Sequence, residues 1–442
     1  MVGRYAGLKI KQTAMTITIH RGINQIGGCI TEIASASGTK ILIDLGHNLP
    51  EGNNNHNDPL EQAENIDPIL DGVNAVFYTH SHGDHVGFEA HVAEKGIPQY
   101  IGRLSKKLLL LQRGNILYYH PTPELKASKK AIDNFITYEA NKPVKIGDIT
   151  VIPYYVSHSA PDAYMFVVEC DGRTVLHTGD FRDHGYRGKG LEPTIQKFIA
   201  PRNVDVLVIE GTMLGRDDGR MISEEALYEQ LTELMRKYKY VFVMCTSQDA
   251  DRISSINHAT ATVGGRRMLV DGYQYKVLQA FEEELGQGNF RRYQYKRKHY
   301  FRKDWSNVLD KDCKRGFAML VRNNRNFKKS LDEMMPLLEK EQCCLVYSQF
   351  KGYILAEHTA FQQGTYDFIH SYNWRYEYLH TSGHASKETL ATICNLVNPQ
   401  LAIIPIHREA GSDFRSLELP PELKNKVCTE SATLEGVEIV IR

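Results

Sequence analysis

The chain has 442 residues and a formal net charge of zero, a length that predicts two domains or so of about 150 residues each. Its 42% hydrophobic and 24% charged residues are typical of a soluble globular protein. No run approaches the roughly 20 apolar residues that span a bilayer, which excludes a membrane-spanning chain. Residues 1–5 lack the apolar core of a signal peptide, so we expect a cytoplasmic location and reduced cysteines.

The first 215 residues alternate short strand-like segments with helical ones. The predicted strands are rich in Val, Ile, Thr and Tyr and bounded by Gly, Asp or Asn. They cover residues 16–19, 29–33, 40–43, 76–78, 151–155, 164–169, 174–177 and 206–209. Residues 104–117 are predicted to form a mostly buried helix. This alternation favours a layered α/β core.

The residues that follow the predicted strand at 76–78 form a dense cluster of potential metal ligands. His80, His82, Asp84 and His85 fall within six positions. His80 and His82 can point one way along an extended chain, and the turn after Gly83 directs the other two to a second point. Imidazole and carboxylate without thiolate suit zinc, or manganese and iron at the harder end. The motif therefore predicts a pair of metal ions.

The pattern changes after a Gly/Asp-rich break at residues 211–220. Ser223 is the predicted N-cap of a helix that ends near Tyr238, and a strand at 240–245 begins a second βαβ unit. The first pattern returns later, with a helix capped by Ser386 and a strand at 401–404. The second unit is thus predicted to be an insertion. The predicted boundaries are 1–215 and 371–442 for the two parts of the first domain and 216–370 for the inserted domain.

Acids and histidines stand directly after five apolar strands. These residues are Asp44, His80, Asp180, Glu210 and His407. Ligand sites in α/β sheets lie beyond the carboxyl ends of the strands, so these side chains are expected to converge on one edge. His158 follows the strand at 151–155, and His384 precedes the helix that leads to the strand at 401–404, so both are expected to join them.

Residues 291–329 form a basic segment, with 14 Lys/Arg against three Asp and a net charge of +11. Seven aromatic residues are interleaved with the cations: Tyr293, Tyr295, Tyr300, Phe301, Trp305, Phe317 and Phe327. Basic grooves hold phosphates and aromatic faces stack unpaired bases, which predicts nucleic-acid binding. A solvated face over a small core is the alternative. The predicted contacts are Arg291, Arg292, Lys296, Arg297 and Lys298.

Taken in order, these motifs resemble those of the metallo-β-lactamase superfamily, specifically its β-CASP branch of nucleases, with the closest likeness to ribonuclease J. The motifs that carry the resemblance are Asp44, then His80, His82, Asp84 and His85, then His158, Asp180, Glu210, His384 and His407. The resemblance implies an α/β fold, the metallo-β-lactamase αββα sandwich, with an inserted α/β β-CASP domain that clamps nucleic acid over the metal ions.

The resemblance also implies roles for the individual residues. One ion takes His80, His82 and His158, the other takes Asp84, His85 and His407, and Asp180 bridges them; Zn²⁺ is expected, with Mn²⁺ as the alternative. The implied catalytic set is Asp84, His384 as general acid, Glu210 orienting it, and Asp44 accepting a hydrogen bond from a ligand histidine. The implied nucleic-acid contacts are Ser247, in a turn where the family holds a terminal phosphate, and Ser382, Gly383 and His384.

Three features depart from ribonuclease J. With the sequence ending at Arg442, no counterpart of the C-terminal domain used for dimerisation is expected, although a homo-oligomer is left open. Glu210-Gly211-Thr212 replaces an acid followed by Ser-Thr, and residues 405–409 vary on Pro-Val-His-Gly-Glu. The expected function is hydrolysis of RNA phosphodiesters by a two-metal-activated water, with exonucleolytic and endonucleolytic action both open.

Three other functions compete with RNA hydrolysis. They are a β-CASP DNase of the DNA-repair type, a small-molecule metallohydrolase or diiron flavoprotein oxidase, and a catalytically inactive nucleic-acid-binding scaffold. His82, where the oxidases carry Glu, and the basic insertion argue against the second. The intact ligand set argues against the third.

Overall fold

A computed structural model describes residues 14–49, 60, 62–216, 221–286 and 291–442. Residues 1–5 and part of the break at 211–220 lie outside the described residues.

The strands are β1 Met15–Arg21, β2 Ile30–Ala34, β3 Lys40–Ile43, β4 Ala75–Phe77, β5 Gln99–Gly102, β6 Ile136–Tyr138, β7 Val144–Ile146, β8 Ile149–Val156, β9 Ala163–Cys170, β10 Arg173–His177, β11 Val206–Glu210, β12 Tyr240–Cys245, β13 Arg267–Val270, β14 Lys298–Tyr300, β15 Phe317–Leu320, β16 Cys343–Ser348, β17 Arg375–Tyr378, β18 Ala402–Ile406, β19 Ala432–Leu434 and β20 Val437–Ile441.

The α-helices cover the outer faces of the sheets and the connections between strands. They are α1 Ala63–Leu70, α2 Glu89–Glu94, α3 Arg103–Tyr119, α4 Pro123–Asp133, α5 Leu191–Thr194, α6 Glu224–Lys237, α7 Ala250–Thr262, α8 Gly272–Glu284, α9 Trp305–Asn307, α10 Cys313–Arg315, α11 Arg325–Met334, α12 Gln363–His370, α13 Lys387–Val397 and α14 Pro421–Lys424. Within the described part of the chain, no helix is both long enough and apolar enough to cross a membrane.

Two sheets pack face to face to form the first unit. One has the order β19-β20-β1-β2-β3-β4-β5-β6 and the other β18-β11-β10-β9-β8-β7. Their facing side chains, among them Phe77, Phe166 and Val208, make one buried core. Helices α1, α2 and α3 cover the outer face of the first sheet, and α13 covers that of the second. The αββα sandwich expected from the sequence is confirmed.

A third sheet, β14-β13-β15-β12-β16-β17, is parallel throughout. All of its strands fall between β11 and β18 in the sequence, yet β11 and β18 are parallel neighbours, with Val208 opposite Ile404. The chain therefore leaves the sandwich after β11 and returns to it at β18. This confirms an inserted α/β unit, which we call the insert, whereas the boundaries at 216 and 370 stay predictions.

Helix α3 joins the two units, and the prediction that it is mostly buried is wrong. Only Leu104, Ser105, Leu108 and Leu109 are buried along its 17 residues, and Tyr118 is 81% exposed. Leu104 and Leu108 pack into the core of the insert, whereas Leu109 packs against the sandwich. The apolar residues of α3 therefore make two separate contacts, one with the insert and one with the sandwich. The rest of the helix lies nearer to solvent.

Candidate metal centre

The backbone of residues 45 and 46 packs closely against the ligand-rich loop that follows β4. Strands β3 and β4 run in parallel, so Asp44 and Thr79 emerge at the same sheet edge. Leu45 bridges Val86, and the backbone of residue 46 packs onto the loop. A Cβ on Gly46 would lie 1.9 Å from the carbonyl carbon of Asp84, so this position requires glycine. The sequence motif gave no indication of this requirement, because Gly46 lies outside it.

The predicted ligand side chains converge in two groups. The donor atoms of His80, His82 and His158 lie within 4.8 Å of one another, and those of Asp84, His85 and His407 do so as well. His158 Nε2 is 3.3 Å from His82 Nδ1, and His407 Nε2 is 3.3 Å from Asp84 Oδ2. Each group presents three donors to one point.

Asp180 lies between the two groups. Its Oδ2 atom is 3.1 Å from His85 Nε2, 3.6 Å from His407 Nε2 and 4.0 Å from His80 Nε2. A carboxylate that approaches donors of both groups is placed where a bridging ligand would be. The side chain is buried, and it enters from Gly179, whose φ of 54° turns the chain sharply after β10.

The residues present fit a pair of divalent ions. Nitrogen and oxygen donors bound tetrahedrally at 2.0–2.1 Å lie about 3.3 Å apart, close to the separations observed. His80 Nε2 is buried with no hydrogen-bond partner among the described residues, which is costly unless a metal binds there. Burial lowers the pKa of His82 to about 4 and depresses those of His80 and His158, which favours the neutral imidazole that binds metal.

Hydrogen bonds to Nδ1 orient the ligand histidines His85 and His158. Asp44 Oδ2 accepts from His85 Nδ1 at 2.7 Å, and its Oδ1 accepts from the backbone N–H of Thr79 at 2.7 Å. His158 Nδ1 donates to the carbonyl oxygen of Gly383 at 2.6 Å. In both histidines these bonds occupy Nδ1 and leave Nε2 facing the donor groups. Asp44 has a left-handed backbone with φ 59°, a strain of about 1–3 kcal/mol that the fold holds at this site.

Thr212 is a site residue that sequence reasoning did not assign. Its Oγ1 is 2.7 Å from Glu210 Oε2, 2.8 Å from His407 Nδ1 and 3.1 Å from His384 Nδ1. The hydroxyl thus contacts one ligand histidine and the predicted acid–base pair. The available signal was its position two residues after the acid that ends β11.

His384 and Glu210 form a close pair beside Asp180. His384 Nδ1 is 3.0 Å from Glu210 Oε2 and 3.7 Å from Asp180 Oδ2. Burial lowers the pKa of His384, but the carboxylates of Glu210 and Asp180 outweigh it and raise the pKa above its usual value. The donors of Asp180, Glu210, His384 and His407 also lie within 4.8 Å of one another, so this pair directly adjoins the second ligand group.

Some of these side chains line a cavity of about 390 Å³ between the sandwich and the insert. Its sandwich side includes His82, Asp84, Asp180, His384 and His407, together with the predicted contacts Ser382 and Gly383. Its insert side is formed by the segments that follow β12 and β16, including Thr246, Asp249 and residues 348–350. Ser247 does not line it; its hydroxyl accepts from Arg322 Nη1 at 3.0 Å.

The predicted basic contacts lie elsewhere. None of Arg291, Arg292, Lys296, Arg297 and Lys298 is among the described residues that line the cavity. The side chain of Arg292 stacks 3.7 Å over the ring of Tyr186 and pairs with Glu225 at 2.8 Å. Arg291 and Lys296 are exposed. Their contact with nucleic acid stays a prediction.

The interpretation of the interleaved aromatic residues as base-stacking surfaces is wrong for five of the seven. Tyr293, Tyr295, Phe301, Phe317 and Phe327 are each at most 2% exposed. They pack in the cores on the two faces of the third sheet. A buried ring cannot reach a base, so the alternative of a solvated basic face over a small core describes these residues.

A buried charge network connects the metal centre to the insert. Arg182, two residues after Asp180, is fully buried and donates to the carbonyl oxygen of Ser382 at 3.2 Å and to Asp251 at 3.0 Å. Arg252 pairs with Glu224 at 2.9 Å in the same cluster. Sequence reasoning missed Arg182, whose acidic partners come from the insert.

Comparison with known families agrees with this geometry. A family model described as the Beta-lactamase superfamily domain matches residues 39–243. Residues 39–243 therefore contain a metallo-β-lactamase superfamily domain. In this metallo-β-lactamase fold, the matched region contains the ligand loop, Asp180 and Glu210, whereas His384 and His407 come from the chain that follows the insert.

Several curated relatives are similar at low identity. Ribonuclease J of Mycobacterium tuberculosis is 26% identical over 266 residues, covering 58% of this chain and 44% of the relative. Ribonuclease J of Mycoplasma pneumoniae is 24% identical over 360 residues, covering 76% and 58%. The transcription termination factor FttA of Methanothermobacter thermautotrophicus is 26% identical over 234 residues, covering 50% and 36%. The chain thus spans about half the length of these relatives.

A solved structure supports the fold along most of the chain. A protein of unknown function from Enterococcus faecalis V583 superposes with a TM-score of 0.65 at 19% identity, covering 89% of this chain and 94% of that one. This similarity concerns the fold alone. The matched domain and the buried donor groups together describe a metallo-β-lactamase fold with His/Asp clusters that could hold metal ions.

Proposed function

We propose that the protein is a metal-dependent phosphodiesterase of the β-CASP nuclease branch that cleaves RNA. The observation that supports it best is the convergence of seven ligand side chains and the His384–Glu210 pair, with four of the ligands and His384 lining one cavity that the insert covers. The similarity to ribonuclease J supports RNA as the substrate.

The chain's own residues account for binding and proton transfer in this reaction. His80, His82 and His158 would hold one divalent ion, Asp84, His85 and His407 the other, and Asp180 would contact both. Two Zn²⁺ ions, or Mn²⁺, would supply a water of lowered pKa and neutralise phosphodiester charge.

His384 is proposed to donate the proton to the leaving oxygen. Its Nδ1 is bonded to Glu210 at 3.0 Å, so Nε2 is the nitrogen that can face the substrate. The neighbouring carboxylates of Glu210 and Asp180 raise its pKa and so favour the protonated ring, the form that can act as an acid. Glu210 would keep the ring in place, since its Oε1 accepts from the backbone N–H of Phe181 at 3.0 Å.

The test is a cleavage assay with Zn²⁺ or Mn²⁺ on matched 5′-labelled single-stranded RNA and DNA, each bearing a monophosphate or a hydroxyl end. We expect metal-dependent cleavage of RNA, with mononucleotides from exonucleolytic action or discrete fragments from endonucleolytic action. Asp84→Ala should abolish cleavage by removing a ligand, and Asp133→Ala, at the exposed end of α4, should cleave like the wild type.

Three results would contradict parts of the proposal. Wild-type cleavage by Asp84→Ala would overturn the assignment of the metal centre. Preference for the DNA strand would replace RNA with the repair-nuclease alternative. Absence of cleavage of both strands would overturn the nuclease proposal and direct the search to small ester and thioester substrates.

A further inference from the structure

The metal-site cavity contains a single guanidinium group. Among the described residues that line it, Arg216 is the only Lys or Arg, whereas Asp84, Asp180, Asp249 and Glu409 supply carboxylates. Asp84 and Asp180 belong to the ligand groups, so their charge is directed to the metal ions. Arg216 is therefore the permanently charged side chain that the described lining offers to an anionic substrate, beside the imidazole of His384 that is proposed to transfer the proton.

Arg216 is held in place from two sides. Its Nε donates to Glu409 Oε1 at 3.1 Å, and its guanidinium carbon lies 4.7 Å over the ring of Phe350. Arg216 comes from the chain after β11, Glu409 from two residues after the ligand His407, and Phe350 from the segment after β16. The guanidinium thus contacts both the sandwich and the insert, and its orientation is fixed before substrate arrives.

The carboxylate of Glu409 lies close to Gly215. A Cβ on Gly215 would lie 2.7 Å from Glu409 Oε2, so the carboxylate rests against glycine beside the arginine that it holds. Neither Nη nitrogen of Arg216 forms a hydrogen bond with another described residue.

We propose that Arg216 binds a phosphate group of the substrate through its two Nη nitrogens and is a specificity-determining residue of this cavity. The planar fork of a guanidinium donates two parallel hydrogen bonds to two non-bridging phosphate oxygens. The inference rests on the proposed function, because it takes the substrate to be a phosphodiester. The partly exposed ion pair between Arg216 and Glu409 adds little to the stability of the fold by itself. Substrate binding therefore accounts better for a guanidinium whose orientation is fixed.

The test compares four variants with the wild type, all loaded with zinc. Arg216→Gln removes the cation, Arg216→Lys keeps a charge without the fork, and Glu409→Gln keeps an acceptor for Nε without the charge. Arg375→Gln is the matched control, because Arg375 also pairs through Nε with a glutamate at 3.1 Å but lies on β17, outside the described cavity lining. The measurements are the dissociation constant for inorganic phosphate by calorimetry, and KM and kcat on 5′-monophosphate RNA.

We expect Arg216→Gln to weaken phosphate binding and raise KM by about ten- to a hundred-fold, the range for a lost hydrogen bond to a charged group, with kcat changed less than about threefold. The slope of log KM against log salt concentration should fall by about one. Arg216→Lys should recover part of the loss. Glu409→Gln should bind phosphate at least as tightly as the wild type, and Arg375→Gln should match it.

Two results would overturn the role of Arg216. One is unchanged phosphate affinity and KM in Arg216→Gln. The other is an equal loss in Arg216→Gln and Glu409→Gln, which a purely structural ion pair would give. The two proposals fail separately: RNA cleavage with no effect of Arg216 removes only this inference, whereas Arg216-dependent phosphate binding without RNA cleavage removes only the nuclease proposal. All variants keep the metal ligands, so differences in phosphate binding report on Arg216.

Discussion

At the scale of single residues, Thr212 shows how one hydroxyl serves two functional side chains. Its single proton can be donated to Glu210 Oε2 at 2.7 Å, which leaves the oxygen free to accept from Nδ1 of His407 at 2.8 Å. This arrangement selects the His407 tautomer whose Nε2 faces Asp84 and Asp180. Thr212 therefore orients His407 in the same way that Asp44 orients His85. Each partner bonds Nδ1 of its histidine and leaves Nε2 to bind metal.

We expect Thr212→Val to weaken binding of the second metal ion by about 10–100-fold, the usual cost of removing such a partner. Valine has nearly the same shape but cannot accept from His407 Nδ1 or donate to Glu210. The measurement is zinc affinity by competition with a chromophoric chelator. Thr212→Ser keeps the hydroxyl and should bind zinc like the wild type. Equal zinc affinity in the valine and serine variants would show that the hydroxyl does not orient His407.

At the scale of elements, the ligand loop depends on how closely residue 46 approaches it. We expect Gly46→Ala to lower the free energy of unfolding by at least about 3 kcal/mol, because its Cβ would overlap the backbone of Asp84 at 1.9 Å. Gly83→Ala is the matched control in the same loop, since its Cβ meets nothing within 4 Å and the residue is exposed. That variant should change stability by less than about 0.5–1 kcal/mol.

Denaturant unfolding and zinc stoichiometry of both glycine variants check this expectation. Gly46→Ala should either fail to fold or bind fewer than two zinc ions, because any shift that relieves the overlap moves Asp84 and His85. If Gly46→Ala were as stable as Gly83→Ala and bound the same amount of zinc, the close approach would not be what positions the loop.

The elements also show what the sequence could and could not predict. Strand ends were predictable, because a run of apolar residues that stops at an acid or histidine marks both the strand and its exposed edge. That rule brought Asp44, Asp180 and Glu210 to one place without any knowledge of the sheet order. Gly46 and Thr212 could not be found in this way, since their roles depend on distances between segments that only the folded sheets bring together.

The buried aromatic residues of the insert show a different limit. Tyr293 and Tyr295 alternate with polar residues and precede a run of cations, which also describes a base-stacking surface. In the structure, Tyr293 donates to Asp251 at 2.6 Å and Tyr295 to the carbonyl oxygen of Ala250 at 3.1 Å, both inside the insert. Spacing gives the side of a segment on which a ring lies, but it does not say whether that side faces solvent.

At the scale of the whole molecule, the sandwich and the insert share a buried network of charges. Arg182 and Arg252 lie among Glu224, Asp249 and Asp251, and Arg182 also donates to the carbonyl oxygen of Ser382, two residues before His384. Buried charges are stable when each has a partner, so the loss of one member leaves the others uncompensated. The network thereby makes the position of the insert part of the geometry of the metal centre.

This network predicts an acid-dependent stability. Burial raises the pKa of Glu224, but Arg252 and Arg182 outweigh it and hold the pKa below its ordinary value of 4.5. A carboxyl whose pKa is lowered by folding stabilises the protein above its unfolded pKa, and that contribution is lost as the pH falls through the folded pKa. Glu224→Gln should therefore cost about 3–5 kcal/mol at pH 7, with the difference from the wild type shrinking below about pH 4.5.

Urea unfolding of both proteins across pH 7 to 3 measures this difference, and protonation of the metal ligands cancels because both proteins carry them. Glu225→Gln is the control: Glu225 is the next residue along α6, is half exposed and pairs with Arg292, so its replacement should change stability by less than about 1 kcal/mol at every pH. One outcome is that the free energy of unfolding of Glu224→Gln differs from that of the wild type by the same amount at every pH from 7 to 3. That result would mean that packing, and not the charge of Glu224, joins the insert to the sandwich. A difference that falls with pH would tie the metal centre to the insert through these paired charges.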